Sequence, residues 1–463
     1  MIQKISKSTD IDCKTEGNYT QGCKISPDGL CILSSTASDN KLRLYNTPNA
    51  IFQKITKDQN TNDINSEIHT PSSCDVEKQN DKEQWNAVLT YQEGNSIRDY
   101  SWYPNMNSSD PSTCVFLSTS KDQPIHLIDA YDASLKASYR AYNHLDELTS
   151  ANVATFTPEG KRIVCGGFST DKRSLQIFDV DYPGRDGEKW MLGKSRYSSD
   201  GQKGMVSCIS FSPLNHSYSG YSNVFAVGTY SPGSIYLYDD RLSSGAVGNC
   251  NAIVLQSKTC VVGHGKRFTR KRPRSENNPS SDNEDEINEN FLCNAKKSYF
   301  YNQAKNGVTQ ISWSCDSNDT ILYTSSRKSN AVLSWDMRNL CAPVRAYSRD
   351  GQTNQTLQFD LVNGTLKERQ LLFVGSQDQC VKIYDIAQNS SKAMDTIDGC
   401  FYDAVNGVSV KELFDGSFMV AVATGARRWN YDFINEDDEH KDENALLPGT
   451  LELYRYWYDD DST

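Results

Sequence analysis

The 463-residue chain has no apolar run approaching the ~18 residues that cross a bilayer as a helix, which leaves no transmembrane segment to place. Its opening stretch, Met1 to Asp10, lacks both an apolar core and a small-residue cleavage site, which argues against a secretory leader. Asn-x-Ser/Thr triplets such as Asn107-Ser108-Ser109 therefore read as chance rather than as glycosylation acceptors. Histidine is scarce: the six residues, at 69, 126, 144, 216, 264 and 440, lie far apart, and no two have zinc-ligand spacing. No Cys-x-x-Cys pair occurs among the 14 cysteines, which are scattered singly and read as reduced, mostly buried small hydrophobes. Positive charge is in deficit, with 48 Lys and Arg against 59 Asp and Glu, a net of −11. That balance excludes a generally basic protein that coats nucleic acid, so any RNA contact must be local.

Catalytic signatures are missing as well. There is no Gly-x-Ser-x-Gly elbow and no Gly-x-Gly-x-x-Gly turn. Five residues separate Gly187 from Gly193-Lys194-Ser195, where a phosphate loop needs four, and no strand-to-helix context surrounds them. The chain reads as a non-enzyme without cofactor, metal or small-molecule substrate.

What is present is a repeat. A run of β-branched and aromatic residues, a turn, a second run, a short polar turn and a third run ending in an acid recur along the chain. The first unit is Gly22-Cys-Lys-Ile-Ser-Pro-Asp-Gly29, then Cys31–Ser35, then Lys41-Leu-Arg-Leu-Tyr-Asn46. Later units end at Ile128-Asp129, Phe178-Asp179, Tyr238-Asp239, Trp335-Asp336 and Tyr384-Asp385. A seventh, weaker unit comprises Asn406–Val410, Phe418–Thr424 and Leu451–Tyr454. Removing three polar insertions, 47–84, 263–304 and 425–449, leaves 358 residues, about 51 per unit for seven units. The expected architecture is all-β: one seven-bladed WD40 β-propeller over 1–463 with disordered loop insertions, its last blade closed by Ile2–Ser6. The WD40 chemistry itself is eroded. Trp-Asp occurs once, at Trp335-Asp336, Gly201-Gln202 stands where Gly-His belongs in blade 4, and Asp39, Asp122 and Asp378 are the expected tight-turn acids.

Two segments stand out as candidate sites. The junction Arg140-Ala-Tyr-Asn-His-Leu-Asp-Glu-Leu-Thr-Ser-Ala151 joins blade 2 to blade 3 with three extra residues, and such loops carry partners on a rigid scaffold. Its partner-binding or RNA-binding candidates are Arg140, Tyr142, Asn143, His144, Asp146 and Glu147, and His144 reads equally as a hydrogen-bonder inside its blade. RNA would be met there by stacking on aromatics and Arg, in a small positive window on an acidic body. The second is the basic run Lys266-Arg-Phe-Thr-Arg-Lys-Arg-Pro-Arg274, whose Lys266, Arg267, Arg270, Lys271, Arg272 and Arg274 read first as a nuclear localisation signal. Direct RNA contact and a plain solvated loop are its other readings. Ser280 and Ser281, before Asp282, Glu284, Asp285 and Glu286, suit an acid-directed kinase.

Arg140–Ala151 closely resembles a stretch of the telomerase Cajal body protein family of WD40 propellers. The resemblance extends to Gly22-Cys-Lys, Ser26-Pro-Asp-Gly29, Leu42-Arg-Leu-Tyr-Asn46, Trp102-Tyr103, Pro124–Ala130, Pro183-Gly-Arg-Asp186, Thr353-Asn-Gln355, Phe359-Asp-Leu361 and Asn406-Gly-Val-Ser409. It implies a nuclear, non-enzymatic adaptor. Animal members of the family bind the CAB-box loop of small Cajal body and telomerase-type RNAs and direct their localisation. Fungal members are linked to small nuclear RNPs and pre-mRNA splicing, and the Asn- and Lys-rich insertions here resemble those members. The implied partners are accordingly small nuclear RNPs, or small Cajal body-type RNA and its proteins, in the nucleus. A protein-only interaction scaffold is the competing reading.

Overall fold

The computed structural model describes residues 1–8, 11, 18–52, 85–192, 202, 204–212, 224–231, 233–239, 306–314, 321–336, 343–364, 369–388, 390–398, 401, 403–426 and 449–458. Their runs of alternating residues form antiparallel sheets arranged as seven blades of a β-propeller. Blade 1 runs Thr20–Ile25, Cys31–Thr36, Lys41–Asn46 and Leu89–Gln92 from its inner to its outer strand. Blade 2 is Ile97–Trp102, Val115–Ser120, Ile125–Asp129 and Leu135–Tyr139, and blade 3 is Val153–Phe156, Arg162–Gly166, Ser174–Asp179 and Glu188–Met191. Blade 4 has three strands among the described residues, Val206–Phe211, Val224–Thr229 and Ile235–Asp239. Blade 5 begins at Val308–Trp313, blade 6 at Phe359–Gly364 and blade 7 at Val405–Glu412. The ring closes as expected: Ile2–Lys7 pairs with Leu451–Tyr456 and becomes the outer strand of blade 7. No described helix is long and apolar enough to cross a membrane.

The core is not central. Seven hydrophobic clusters lie among the described residues, one in each seam between neighbouring blades. This explains the repeat ends. Tyr45, ahead of Asn46, and the residues before the terminal acids, Ile128, Phe178, Tyr238, Trp335 and Tyr384, are each at most 2% exposed and fill a seam. Truncating one of these aromatics to Ala would cost about 3–5 kcal/mol through lost transfer energy and the cavity left behind. The acid that follows turns the chain. Asp129 accepts from the Tyr131 amide at 2.6 Å, Asp179 from Asp181 at 2.9 Å and Asp385 from Ala387 at 2.9 Å. These carboxylates are turn-formers.

The eroded tight-turn chemistry is replaced piecemeal. In blade 1, Arg43 donates to Thr36 Oγ1 and to Asp39 Oδ2, both at 2.6 Å, and is almost wholly buried. In blade 5, Trp335 Nε1 donates to Thr324 Oγ1 at 2.8 Å, and in blade 6 Asp378 pairs with Lys382 at 2.9 Å. Blade 2 departs from expectation. Asp122 takes a left-handed backbone (φ 57°), and its side chain is 69% exposed, so it does not serve as the turn acid. Glu93, arriving from the blade-1 junction, fills that role by accepting from Ser120 Oγ at 3.0 Å and meeting His126 Nδ1 at 3.2 Å. Burial alone would raise the Glu93 carboxyl, but hydrogen bonds from His126, Ser118 and Ser120 hold it below the usual range. Buried Gln202 stands in for the missing His of blade 4, donating to the Lys172 and Gly204 carbonyls at 3.2 and 2.8 Å. The described cysteines are free and mostly buried, and burial pushes the Cys23, Cys165 and Cys208 thiols well above their usual range.

Candidate partner-binding site

Most of the segments that carry the resemblance gather in two places. One is the closure of the ring. Ile25 N donates to Ser409 Oγ at 3.1 Å, Val410 N to Asp360 Oδ2 at 2.7 Å, and Asn406 Nδ2 to the Thr20 carbonyl at 3.0 Å. Trp102 Nε1 donates to the Lys24 carbonyl at 3.0 Å. Gly22 and Gly407 face each other so closely that a Cβ on Gly407 would lie 2.6 Å from Gly22 Cα. Residues 20–29, 102, 353–361 and 406–409 are thus accounted for by packing between blades 6, 7, 1 and 2.

The other place is the junction between blades 2 and 3, and packing does not account for it. Arg140–Ala151 folds as a small hairpin in which Ala141–Tyr142 pairs with Leu148–Thr149. Asn143 organises its tip. The Asn143 Oδ1 accepts from the amides of Leu145 at 2.8 Å and Glu147 at 3.0 Å, and its Nδ2 donates to Glu147 Oε2 at 2.9 Å. Asn tolerates such tips because its short side chain substitutes for backbone partners. Asp146 takes φ 61°. Blade 3 clamps the hairpin's base: Arg140 N donates to the carbonyl of Gly184, in the loop joining its third and fourth strands, at 2.7 Å, and Gln176 Nε2, on its third strand, donates to the Tyr142 carbonyl at 2.9 Å.

From that same loop Arg185 reaches across. Its guanidinium lies 4.6 Å from the centre of the Tyr142 ring and pairs with Asp146. Arg185 completes a cation–aromatic platform with Tyr142, and reasoning along the sequence did not single it out as a site residue. The only signal was that Pro183-Gly-Arg-Asp186 shared a resemblance with Arg140–Ala151. Around the platform Tyr182, Leu145 and Leu148 stand 73%, 65% and 42% exposed, a clustering that marks interaction surfaces more than scattered apolar residues do.

The six expected residues therefore divide. Tyr142 stacks, Asp146 fixes Arg185, Asn143 and Glu147 build the turn, and Arg140 and His144 are exposed. Exposure of His144 removes its reading as a buried hydrogen-bonder within the blade. The expected positive window is also corrected: Asp146, Glu147 and Asp186 outnumber Arg140 and Arg185. Such a surface offers stacking and apolar contact more than a field for phosphate. The basic run of Lys266, Arg267, Arg270, Lys271, Arg272 and Arg274, with Ser280 and Ser281, lies outside the described residues, as do most of the three insertions.

No protein-family model matches the chain. It is 30% identical over 434 residues to telomerase Cajal body protein 1 of Mesocricetus auratus, a match covering 93% of this chain and 62% of that protein. The protein of the same name from Homo sapiens is 29% identical over 369 residues, covering 80% of this chain and 50% of that protein. Guanine nucleotide-binding protein negative regulator 1 of Schizosaccharomyces pombe is 26% identical over 453 residues, 96% of this chain and 88% of its own length. The chain thus spans less than two thirds of the length of these two animal proteins.

Proposed function

We propose that this propeller, a relative of the telomerase Cajal body proteins along nearly its whole length, is a nuclear, non-catalytic adaptor that holds a ribonucleoprotein partner. The observation that carries the reading is the Tyr142–Arg185 platform with its exposed apolar surround, presented on a hairpin whose base is clamped to blade 3. A rigid scaffold with one projecting junction loop suits holding a partner more than transforming it. The carboxylates that end the repeats support the same view, because those with defined partners are engaged in turns.

Within that class the partner we favour is a small nuclear RNP, in support of pre-mRNA splicing. The Asn- and Lys-rich insertions, which resemble those of fungal members of the family, support this choice. The name of the animal relatives supports a second reading, in which the cargo is a telomerase-type or small Cajal body RNA. Nuclear entry is assigned to Lys266–Arg274, six cations in nine positions. The hairpin's excess of acids favours a contact made largely with protein or with unpaired bases.

Ultraviolet crosslinking of the tagged chain, followed by sequencing of the bound RNA and identification of co-purifying proteins, tests the proposal. Spliceosomal small nuclear RNAs with their core proteins are the expected recovery. Recovery of telomerase-type RNA in their place would select the second reading. Protein partners without any RNA would select the protein-only scaffold.

A further inference from the structure

A cleft of about 640 Å³ opens between blades 1 and 2. Ligand pockets commonly enclose about 300–1,000 Å³, so it can seat one or two side chains of a partner. Leu44, Met106 and Cys114 line its apolar interior, and Leu30, Val88 and Tyr131 stand at its rim. These three rim residues remain 43%, 56% and 50% exposed, unlike the aromatics that fill the seams.

The walls are held in place. Asp28, in the first turn of blade 1, accepts from the Ser108 amide at 2.7 Å and from the Ser108 hydroxyl. The Tyr131 hydroxyl donates to the Ser108 carbonyl, and Trp85 Nε1 donates to the Asn46 carbonyl at 2.8 Å. The cleft is therefore preformed, which lowers the ordering cost of binding.

Acids outnumber cations beside its lining. Asp28 bonds Ser108, Asp129 bonds the Tyr131 amide, and Asp110 and Asp132 lie close by in sequence, whereas Lys136 pairs with Asp129 at 2.7 Å, Lys7 pairs with Glu452 at 3.4 Å and Lys411 donates to the Pro27 carbonyl. Burial pushes Cys31 up to about 11 and raises Cys114, with Asp28 adding to both.

We propose that this cleft docks a short cationic segment of a partner protein, seating an apolar side chain between Leu44 and Met106 and a Lys or Arg against Asp110, Asp132 and Tyr131. The same carboxylates repel phosphate, so the occupant is a peptide and not a nucleic acid. Two binding surfaces then lie on one ring: the hairpin for the ribonucleoprotein, the cleft for a basic protein segment.

The test uses the purified full chain and two labelled peptides, one alternating Arg with Leu and Phe, the other identical but with Glu for every Arg. In fluorescence anisotropy the Arg peptide should bind at least tenfold more tightly than the Glu peptide. The double variant D110N/D132N should lose most of that preference, and Val88→Ser should weaken binding of the Arg peptide severalfold. Both sets of substitutions lie at exposed rim positions, and a melting curve on each variant checks that the blades are intact. Equal binding of the two peptides, or unchanged affinity in both variants, overturns the proposal. So does loss of binding only in Tyr142→Ala, which would move the peptide to the hairpin. A concentration-dependent dimer abolished by Val88→Ser would assign the face to a second copy of the chain and overturn it equally.

Discussion

Replacing Tyr142 and Arg185 together by Ala separates the cost to folding from the cost to binding. Arg185 and Asp146 are 58% and 69% exposed, and an ion pair in that setting contributes roughly 0.2–1 kcal/mol. The guanidinium over the Tyr142 ring adds about 0.5–1 kcal/mol at an exposed site. The hairpin keeps its Asn143 turn and its backbone clamp to Gly184, neither of which uses the substituted side chains. Folding should therefore lose only about 1–2 kcal/mol, a modest shift of the urea midpoint with unchanged slope. Binding should lose more. A base stacked on an aromatic is worth about 1–3 kcal/mol, and a Tyr or Arg at the centre of a protein interface commonly costs at least ~2 kcal/mol when truncated. A combined loss of roughly 3 kcal/mol is about a 150-fold drop in affinity. Quantitative recovery of the ribonucleoprotein on tagged wild-type and variant chains, alongside urea unfolding of both, reads the two costs separately. Undiminished recovery with the expected small loss of stability would refute the assignment of the platform to partner binding. Because the hairpin is not net positive, the residual affinity should also respond weakly to added salt, unlike a phosphate-driven contact.

Three further expectations follow from particular residues. Gly407→Ala should weaken closure of the ring, because its Cβ would press on backbone atoms of Gly22 and Cys23, at 2.6 and 2.7 Å, that cannot swing aside; overpacking of this kind costs about 1–3 kcal/mol or more, and earlier proteolysis of the Ile2–Lys7 strand would report it. The Asp360 carboxyl, raised by burial from 3.8 to about 6, is protonated more readily folded than unfolded, so lowering the pH from about 6 to 4 adds stability through this group; urea midpoints across that range should fall more steeply with acid in Asp360→Asn than in the wild type. Replacing Lys271, Arg272 and Arg274 by Ala should shift the protein to the cytoplasm in fluorescence imaging, and a variant that stays nuclear would detach nuclear entry from that run.

Much of the architecture was legible in the sequence because strand periodicity and turn chemistry are local. Alternation over a few residues, Pro27-Asp28-Gly29 at a turn and an aromatic or large aliphatic residue before a terminal acid identify a four-stranded unit without knowledge of its neighbours. The same locality picked out Arg140–Ala151, and it allowed Ile2–Ser6 to be matched to the last blade, since an unpaired first strand and an incomplete last sheet complete each other. What the sequence could not decide was which residues meet across blades. Glu93 took the place expected of Asp122 because the acid reached the Ser120–His126 pair from the preceding junction rather than from the turn. Arg185 joined Tyr142 from a position 43 residues away, through a loop that only the folded seam brings alongside. The sign of charge at the hairpin likewise depended on which carboxylates the fold gathers there, and net composition contains no such information. Periodicity is set by neighbours in the chain, whereas a site is set by neighbours in space, and in a ring of blades the two rarely coincide.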